Sequence, residues 1–326
     1  MIVNIFIRNP FKIGNFSIET FYSELEKELS TSIEVRIKRV PFKNKGIVPR
    51  VLNILYCFLN QGDINHVIGD ITYCSILMNK KKLIITILDF VSLNYSTGFK
   101  NFLLKFFLYK IPIKKARHII YISDTIKEES LKLFGKNKSE SVIPVTVNNK
   151  YYNLKRTNKK FLDRYLLIGT ANNKNILRVS NAVKGLDCEI SILGLLTNKQ
   201  RNKLTDNNIS FKEYSKPLTD NEVIDLYMRS DVLIYASEYE GFGMPIIEAN
   251  CSGVCVLTSN LSSMPYVAGD SAVFVNPFSE DSIREELFKI KKSESLRSKL
   301  IYNGFKNAKR FLIKNIAAEH LKVYLK

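Results

Sequence analysis

The stretch of sequence that decides the fold runs Asp231-Val-Leu-Ile-Tyr-Ala-Ser237 and, two residues later, Glu240-Gly-Phe-Gly-Met-Pro-Ile-Ile-Glu248. Its first part is the short apolar run of a buried strand. Gly241 and Gly243 then predict a loop, and Pro245 suits the first turn of a helix because its φ is already helical and it needs no amide partner there. Glycines let a phosphate approach the backbone, and a helix N-terminus carries partial positive charge. The stretch therefore predicts a strand, loop and helix that bind an anion.

Short apolar runs alternate with segments of helical period on both sides of this unit, which is typical of parallel sheets covered by helices on both faces. We predict six strands before a polar, basic linker and six strands after it. Each series forms one doubly wound α/β half, and ligands of such sheets bind at the carboxyl ends of the strands. Two such halves imply a cleft between them.

The composition is that of a globular protein with an unusual charge. The chain has 326 residues, 45% of them hydrophobic and 25% charged, which excludes a disordered or disulfide-stapled chain. Its net charge is +18, and residues 1–150 contribute +11 of it, from 23 basic against 12 acidic residues. Such a balance predicts a negatively charged partner: nucleic acid, a phosphorylated small molecule or an anionic membrane surface.

The sequence also predicts where the protein works. The five cysteines contain no Cys-x-x-Cys pair, which favours a reducing cytoplasm over a disulfide framework or a zinc knuckle. No stretch has the ~20 uninterrupted apolar residues of a membrane-spanning helix. We therefore expect a cytoplasmic protein, peripheral on the inner face of the cytoplasmic membrane if it meets one. Residues 100–111 mix lysines with phenylalanines, and two interpretations stay open for them: an interfacial helix, or a buried helix with lysine side chains extending to solvent.

The spacing Glu240-x7-Glu248, with Gly-Phe-Gly inside it, resembles the donor-site signature of family 4 of the retaining glycosyltransferases, the "glycosyl transferases group 1". Leu218–Val232 is similar to the family's helix and strand before this signature, and Thr258–Pro265 is similar to the family's segment after it. The resemblance is strong over residues 165–326 and weaker over 1–150. It is closest to bacterial enzymes that assemble cell-surface polysaccharides, such as O-antigen lipopolysaccharide and capsule.

The resemblance implies the GT-B fold: two Rossmann-like doubly wound domains facing across a cleft, with C-terminal helices packing back toward the N-terminal domain. Residues 1–150 would form the acceptor-side domain and 151–163 the linker. Residues 164–305 would form the nucleotide-sugar donor domain, and 306–326 a helix that crosses back.

The resemblance also assigns roles to individual residues. Glu240 would contact the donor sugar or its developing charge, Lys174 would bind the diphosphate, and Asp89 would lie beside the donor sugar. The expected donor-binding residues are Gly241, Phe242, Gly243, Met244, Pro245, Glu248, Thr170, Gly194, Leu195, Tyr214 and Ser215. Among them, Glu248 would hold the ribose, while the backbone near Gly194 and Tyr214 would contact the base. On the acceptor side we expect Gly14 and Asn15, in the loop after the first strand.

Three positions depart from the family pattern. Thr170 stands where many members have an arginine, Leu88 replaces the histidine of a Thr-x-His-Asp motif, and Tyr266 stands where a glutamate often follows the proline. These changes bear on contacts to the donor sugar more than on fold or reaction class. They predict a weakened or unusual donor specificity.

No metal site is indicated by the sequence. An Asp-x-Asp pair is absent, and His66, His118 and His320 are far apart, with His118 expected to be structural. Lys174 and a helix N-terminus can neutralise a departing diphosphate, so we expect neither a metal nor another cofactor to be required.

The expected function is that of a retaining hexosyltransferase that uses a UDP- or GDP-linked sugar, with a saccharide or polyprenyl-diphosphate-linked saccharide as acceptor. Three other classes compete with it. A nucleic-acid- or anionic-surface-binding protein would account for the charge, although no known nucleic-acid-binding motif is present. An inactive glycosyltransferase-like partner subunit would account for Thr170 and Leu88. A nicotinamide-dependent oxidoreductase would need Gly-x-Gly-x-x-Gly after the first strand, where Arg8–Ile18 offers only Gly14.

Overall fold

A computed structural model describes residues 1–9, 17–44, 46–94, 96–137, 139–154 and 160–326. These residues divide into two compact units. The first unit takes the described residues up to 146 together with 313–326, and the second takes those of 147–312. Gly14 and Asn15, expected on the acceptor side, lie outside the described residues.

The strands of the described residues are β1 (Ile2–Ile7), β2 (Glu34–Arg39), β3 (Ile64–Ile68), β4 (Leu83–Ile87), β5 (His118–Tyr121), β6 (Glu140–Val142), β7 (Arg164–Ile168), β8 (Glu189–Leu193), β9 (Ser210–Tyr214), β10 (Val232–Tyr235), β11 (Cys255–Ser259) and β12 (Ala272–Val275). Their α-helices are α1 (Ser17–Leu29), α2 (Ile47–Leu59), α3 (Val91–Asn94), α4 (Gly98–Leu104), α5 (Ile111–Lys115), α6 (Asp124–Phe134), α7 (Ile176–Val183), α8 (Asn198–Asp206), α9 (Asp220–Arg229), α10 (Met244–Cys251), α11 (Met264–Ala268), α12 (Glu280–Lys292), α13 (Glu294–Ala308) and α14 (Ile313–Leu325).

Each unit contains one parallel sheet, with six strands among the described residues. The first has the order β2-β1-β3-β4-β5-β6, and the second has the order β12-β11-β10-β7-β8-β9. The second order is that of the Rossmann sheet, and both orders reverse direction once. The reversal falls between β1 and β3 in the first sheet and between β7 and β10 in the second. These two positions are where open parallel sheets bind ligands, at the carboxyl ends of the strands.

The strands of the second unit are short apolar runs because their side chains are buried in the core of that unit. Leu167, Ile192, Ile234 and Leu257, from four neighbouring strands, are almost completely buried. Helix α7 covers the sheet with Val179, and α12 contributes Leu287 from the same cluster. Residues of a parallel sheet are covered on both faces, so its strands lack the alternation of a half-exposed sheet.

Helix α14 belongs to the first unit although it lies at the other end of the sequence. It packs against α1, and its Tyr324 hydroxyl lies 2.8 Å from Nδ1 of His66 in β3. Nε2 of His66 lies 2.7 Å from the Thr86 hydroxyl. The predicted return of the C-terminal helix to the N-terminal domain is confirmed. His118 lies between the hydroxyls of Ser139 and Ser141, consistent with the structural role expected for it.

Two local elements differ from the sequence-based expectations. The single helix expected over 100–111 is instead α4, a π-helical segment (Lys105–Lys110) and α5. Within these segments Phe102 and Phe107 are exposed, while Leu108 and Tyr109 are buried. Helix α8 was not predicted because it is almost entirely polar, and its start is fixed by a capping box between Thr197 and Gln200. Among the described residues, none of the helices is both long and apolar enough to span a bilayer.

Candidate active site

The glycine loop after β10 is built as the sequence predicts. Gly243 has φ of +113°, a conformation that favours glycine, and Pro245 lies in the first turn of α10. The ring of Phe242 packs edge-on against Phe311, with 5.7 Å between the ring centroids, and is buried. Only the backbone of Phe242 is therefore available to a ligand.

Two serines hold this loop in place. The hydroxyl of Ser263 donates to the carbonyl oxygens of Glu240 (2.9 Å) and Phe242 (2.6 Å). The Ser262 hydroxyl also bonds the backbone of Glu240, accepting from its amide at 3.3 Å and donating to its carbonyl oxygen. These bonds fix the conformation of the loop before any ligand arrives, which is how a preorganised site avoids reorganisation during a reaction.

The loop after β7 brings Lys174 to the same end of the sheet. Gly169 has φ of +85°, and a Cβ atom added there would lie 2.9 Å from Cε of Lys174. Asn175, in the left-handed conformation, ties the loop to the carbonyl oxygens of Ala236 (3.1 Å) and Pro277 (2.6 Å). The resemblance also places Lys174 at the start of a helix, but Lys174 ends a short 3-10 turn and helix α7 begins only at Ile176. The left-handed Asn175 separates the two.

Lys174 and Glu240 form the central contact of the site. The Lys174 ammonium donates to Glu240 Oε1 at 2.6 Å and to the Tyr235 hydroxyl at 2.9 Å, and it lies 4.6 Å from the Tyr235 ring centroid. Both charged side chains are mostly buried, with 17% and 13% of their surface exposed. The pair bridges the loops that follow β7 and β10, the two strands between which the sheet order reverses.

Asn173 joins the same two loops through the backbone. Its side-chain amide donates to the Tyr239 carbonyl oxygen at 2.9 Å, and its own main-chain carbonyl oxygen accepts from the Glu238 amide at 2.8 Å. The position of Lys174 relative to Glu240 is therefore set by main-chain contacts as well as by the ion pair.

Glu248 lies about one turn into α10, on the side that meets α9. Its carboxylate accepts a 2.6 Å hydrogen bond from the Tyr227 hydroxyl. The Tyr227 ring packs edge-on against Tyr151 at 5.8 Å. The side chain of Glu248 is partly exposed. Burial of its carboxylate nevertheless raises its pKa to about 7, and the hydrogen bond from Tyr227 acts against that rise. Tyr235 is buried near both glutamates. Burial raises the pKa of its hydroxyl, and the negative charges of Glu240 and Glu248 raise that pKa further.

The residues expected near the base meet at the ends of β7, β8 and β9. Gly194 donates its amide to the Tyr214 carbonyl oxygen at 3.0 Å, and a Cβ atom on Gly194 would lie 2.9 Å from the methyl group of Thr170. Thr170 thus packs against the turn at Gly194, in place of the arginine of the family pattern. Leu195 and Ser215 are exposed beside it.

The first unit has its own cavity at the point where its sheet order reverses. It has a volume of about 250 Å³ and is lined by Arg8, Glu19, Asp70, Leu88, Asp89 and Tyr109 among others. Arg8 bridges Glu19 (2.8 Å) and Asp70 (3.7 Å). Leu88, at the position of the histidine in the family pattern, packs on Gly69, where an added Cβ atom would lie 2.7 Å from its Cδ1.

The structure thus brings together many of the sequence-predicted residues. Glu240 and Lys174 are in contact, and Asp89 lines the cavity of the first unit. The sequence reasoning missed Tyr235, Tyr227 and Asn173. In the sequence, Tyr235 and Tyr227 look like ordinary core residues of their strand and helix. The one sequence signal for Asn173 was its position next to Lys174. Tyr266, the third departure from the family pattern, has the Arg310 guanidinium stacked 5.1 Å from its ring centroid.

The two doubly wound α/β units have the GT-B fold, and α14 returns to the first of them. The loops at the carboxyl end of the second sheet carry glycines, Lys174 and Glu240, and Glu248 follows in α10. Residues 169–307, which make up most of the second unit, match the family described as "Glycosyl transferases group 1". The matched region begins at Gly169 and contains Lys174, Glu240 and Glu248.

Two of the curated relatives are O-antigen mannosyltransferases. The chain is 33% identical over 105 residues to O-antigen chain mannosyltransferase B of Escherichia coli, covering 32% of this chain and 28% of that protein. It is 26% identical over 206 residues to O-antigen chain mannosyltransferase RfbU of Salmonella typhimurium, covering 61% of this chain and 58% of the relative. The matched stretches thus span less than two thirds of these relatives.

A solved structure shares the fold over the whole chain. The complex of Anabaena HepE with UDP and glucose superposes with a TM-score of 0.76 over 99% of both chains, at 13% sequence identity. At that identity the likeness establishes the fold.

Proposed function

We propose that this protein is a retaining glycosyltransferase that moves a hexose, with mannose the leading candidate, from a nucleotide sugar to a saccharide or lipid-linked saccharide in the assembly of O-antigen or capsule. The observation that carries the proposal is the Lys174–Glu240 pair beside the glycine loop, at the reversal point of the second sheet. The names of the curated relatives support the choice of mannose and of surface polysaccharide.

The proposed reaction breaks the bond between the sugar C1 and the oxygen of the nucleoside diphosphate and forms a bond from C1 to an acceptor hydroxyl oxygen. In the usual account for this family, the acceptor attacks from the face that the diphosphate leaves, and a diphosphate oxygen takes the hydroxyl proton. Negative charge grows on the diphosphate as C1 acquires positive charge. The protein must therefore hold a cation beside the first group and an anion beside the second.

Lys174 and Glu240 supply that arrangement. The ammonium of Lys174 would stabilise the departing diphosphate together with the backbone of Gly241 to Met244 at the start of α10. Glu240, in contact with Lys174, would face the donor sugar and its developing positive charge. The Ser262 and Ser263 bonds keep Glu240 in place, and the bonds of Asn173 and Asn175 keep the loop of Lys174 in place. The two charges would therefore need little reorganisation during the reaction.

The remaining contacts divide between nucleoside and acceptor. Glu248 would accept from the ribose hydroxyls, while the turn formed by Thr170, Gly194 and Tyr214 would lie against the base. We assign acceptor binding to the first unit, whose cavity presents carboxylates and a guanidinium that suit sugar hydroxyls. Each unit would then bind its ligand where its own sheet order reverses.

Thermal-shift measurements with UDP, GDP, ADP and CMP test the donor side first, because a ligand that binds only the folded state raises its stability. We expect a shift with one nucleoside diphosphate that is lost in Glu248→Ala and retained in Glu189→Gln. Glu189 begins β8, at the opposite end of the sheet, and serves as the matched control. The matching nucleotide sugar should then release its diphosphate when an acceptor is supplied.

Other outcomes would favour the competing classes. Salt-sensitive binding to nucleic acid without any nucleotide shift would identify a nucleic-acid-binding protein. Nucleotide binding without transfer to any acceptor, and transfer only in the presence of a second glycosyltransferase, would identify a partner subunit.

A further inference from the structure

Helix α2 of the first unit presents its apolar side chains to solvent. Its exposed large apolar residues are Ile47, Val48, Val51, Leu52, Leu55, Phe58 and Leu59. With ~100° of rotation per residue, these seven positions share an arc of about 140° that contains no charged residue. Monomeric proteins rarely expose a continuous apolar surface of this kind unless it binds something.

The inward side of α2 carries the polar groups. Asn53 and Cys57, on the side of the helix away from that arc, are completely buried. The Asn53 side chain bonds the backbone of Phe42 through both of its polar atoms, at 3.1 and 2.9 Å, and donates to the Tyr73 hydroxyl at 3.2 Å. Three hydrogen bonds fix which side of the helix faces inward. The exposed apolar face is therefore the stable orientation of α2 and cannot be turned into the core without breaking them.

Basic residues stand at both ends of the apolar face. Lys43 and Arg50 lie at its amino-terminal end, both exposed. At the other end, the Gln61 side chain accepts from the Asn79 amide at 2.8 Å and Lys82 donates to the Gly62 carbonyl oxygen at 3.4 Å, which places the turn Lys80–Lys82 beside the end of α2. The acidic residue nearest to α2 in sequence is Asp63, whose carboxylate accepts a hydrogen bond from the Ile2 amide at 2.8 Å.

From this arrangement we infer that α2 is a membrane-docking helix that inserts its apolar face at the surface of an anionic lipid bilayer. Large apolar side chains enter the boundary between headgroups and acyl chains, while the lysines and arginine at its ends contact the anionic headgroups. The net charge of +11 over residues 1–150 favours approach to such a surface. An anionic lipid fits this face better than a second copy of this chain, which would bring the same positive charges together.

Vesicle flotation tests the inference with the full-length chain. The vesicles are phosphatidylcholine alone or phosphatidylcholine mixed with phosphatidylglycerol. We expect binding to the mixed vesicles, reduced at least about tenfold in the triple variant Val51→Gln/Leu55→Gln/Leu59→Gln because three apolar side chains leave the interface. Leu131→Gln/Leu162→Gln/Leu325→Gln is the matched control, since these leucines are also exposed but lie outside α2. Lys80→Gln/Lys81→Gln should weaken binding by roughly fivefold per lysine, and only to the anionic vesicles.

Two results would overturn the inference. One is equal flotation of the wild type and the α2 variant. The other is concentration-dependent self-association in sedimentation that the α2 variant abolishes, with no vesicle binding, which would make the face a contact between copies of the chain. Circular dichroism and thermal unfolding verify that the variant is folded. Because flotation measures binding and not sugar transfer, its result is independent of the proposed enzymatic activity.

Discussion

The ammonium of Lys174 lies 2.6 Å from a carboxylate oxygen of Glu240, and the two residues come from the loops after β7 and β10. These strands are neighbours in the sheet but are separated by more than sixty residues of sequence. The ion pair therefore exists only once the sheet has formed. It also gives the site one positive and one negative group at a fixed separation before any ligand binds.

Removing either member of this pair should abolish most of the activity. We expect Lys174→Ala to lower kcat by about 10²–10³-fold, the usual effect of losing one group that stabilises developing charge. The double variant Lys174→Ala/Glu240→Ala should be much less impaired than the product of the two single effects, because the residues act as a unit. Initial rates of diphosphate release measure both.

Arg178→Ala is the matched control for that series. Arg178 pairs with Glu238 at 2.5 Å and also joins α7 to the loop after β10, but both side chains are about one-third exposed. A surface pair of this kind contributes little to stability. A loss of kcat in Arg178→Ala as large as in Lys174→Ala would contradict the assignment of the central role to Lys174.

Gly169→Ala should displace Lys174. The new Cβ atom would lie 2.9 Å from Cε of the lysine, and a shift of about 1 Å at a reacting centre costs about 100-fold in rate. Gly185→Ala provides the comparison, because Gly185 also has positive φ (+75°) but has nothing within 4 Å of the added atom. Both variants should lose about 1–2 kcal/mol of stability from the left-handed conformation. Equal kcat in the two variants would show that the contact with Lys174 is unimportant.

Glu248 should make stability depend on pH near neutrality. Its pKa is raised from 4.5 to about 7 in the folded protein, mainly by burial, so between these values the folded state binds more protons than the unfolded state. Its stabilising contribution is complete below pH 4.5 and is lost as the pH rises through 7, a cost of about 3 kcal/mol. Glu248→Gln should therefore become more stable relative to wild type on going from pH 5 to pH 8 in urea unfolding. A constant difference would contradict the raised pKa.

His320 should make the folded protein more stable, not less stable, as the pH rises. Burial lowers its pKa from 6.5 to about 4, and His66, whose pKa burial also lowers, lies beside it with 6.0 Å between the ring centroids. Between pH 6.5 and pH 4, His320 is protonated in the unfolded state but neutral in the folded state. The free energy of unfolding therefore falls by about 2 kcal/mol by pH 5 because of His320 alone. In His320→Leu the loss between pH 7 and pH 5 should be smaller by that amount. Chemical denaturation at the two pH values measures it.

Chelation tests the expectation that no metal is required. We expect the rate of sugar transfer to be unchanged after dialysis against EDTA, because Lys174 and the start of α10 supply the positive charge at the diphosphate site. A loss of activity that Mg²⁺ or Mn²⁺ restores would refute that expectation. The same preparation should show an unaltered nucleotide shift.

Much of the fold could be predicted from the sequence because strong local patterns determine it. The strand and helix expected on either side of the glycine loop are present as β10 and α10, and each sheet has the expected six strands among the described residues, because their short apolar runs are clear in the sequence. Helix α8 was missed because its polar sequence carries no periodicity, and its existence depends on the cap at Thr197. Sequence patterns locate an apolar helix such as α2 but not its orientation, because the inward side is selected by hydrogen bonds from Asn53 to residues distant in sequence.

The site was predictable to the extent that its residues belong to one motif. Glu240 and Glu248 stand in a single continuous segment, so their spacing was readable. The roles of Tyr235 and Tyr227 could not be predicted from the sequence. An aromatic residue in a buried strand or helix gives the same sequence pattern whether or not its hydroxyl bonds to Lys174 or Glu248. Their roles depend on distances across the sheet, which no local pattern records.

The placement of α14 has a consequence for synthesis on the ribosome. Residues 147–312 form one uninterrupted unit, which can fold as soon as they have left the exit tunnel. The synthesis of the first unit begins earlier, but this unit lacks α14, whose Tyr324 contacts His66, until residues 313–325 emerge. Its α1 face therefore stays uncovered throughout translation of the second unit. In a nascent chain, the first unit should therefore depend on chaperones for longer than the second unit, although most of its residues are made earlier.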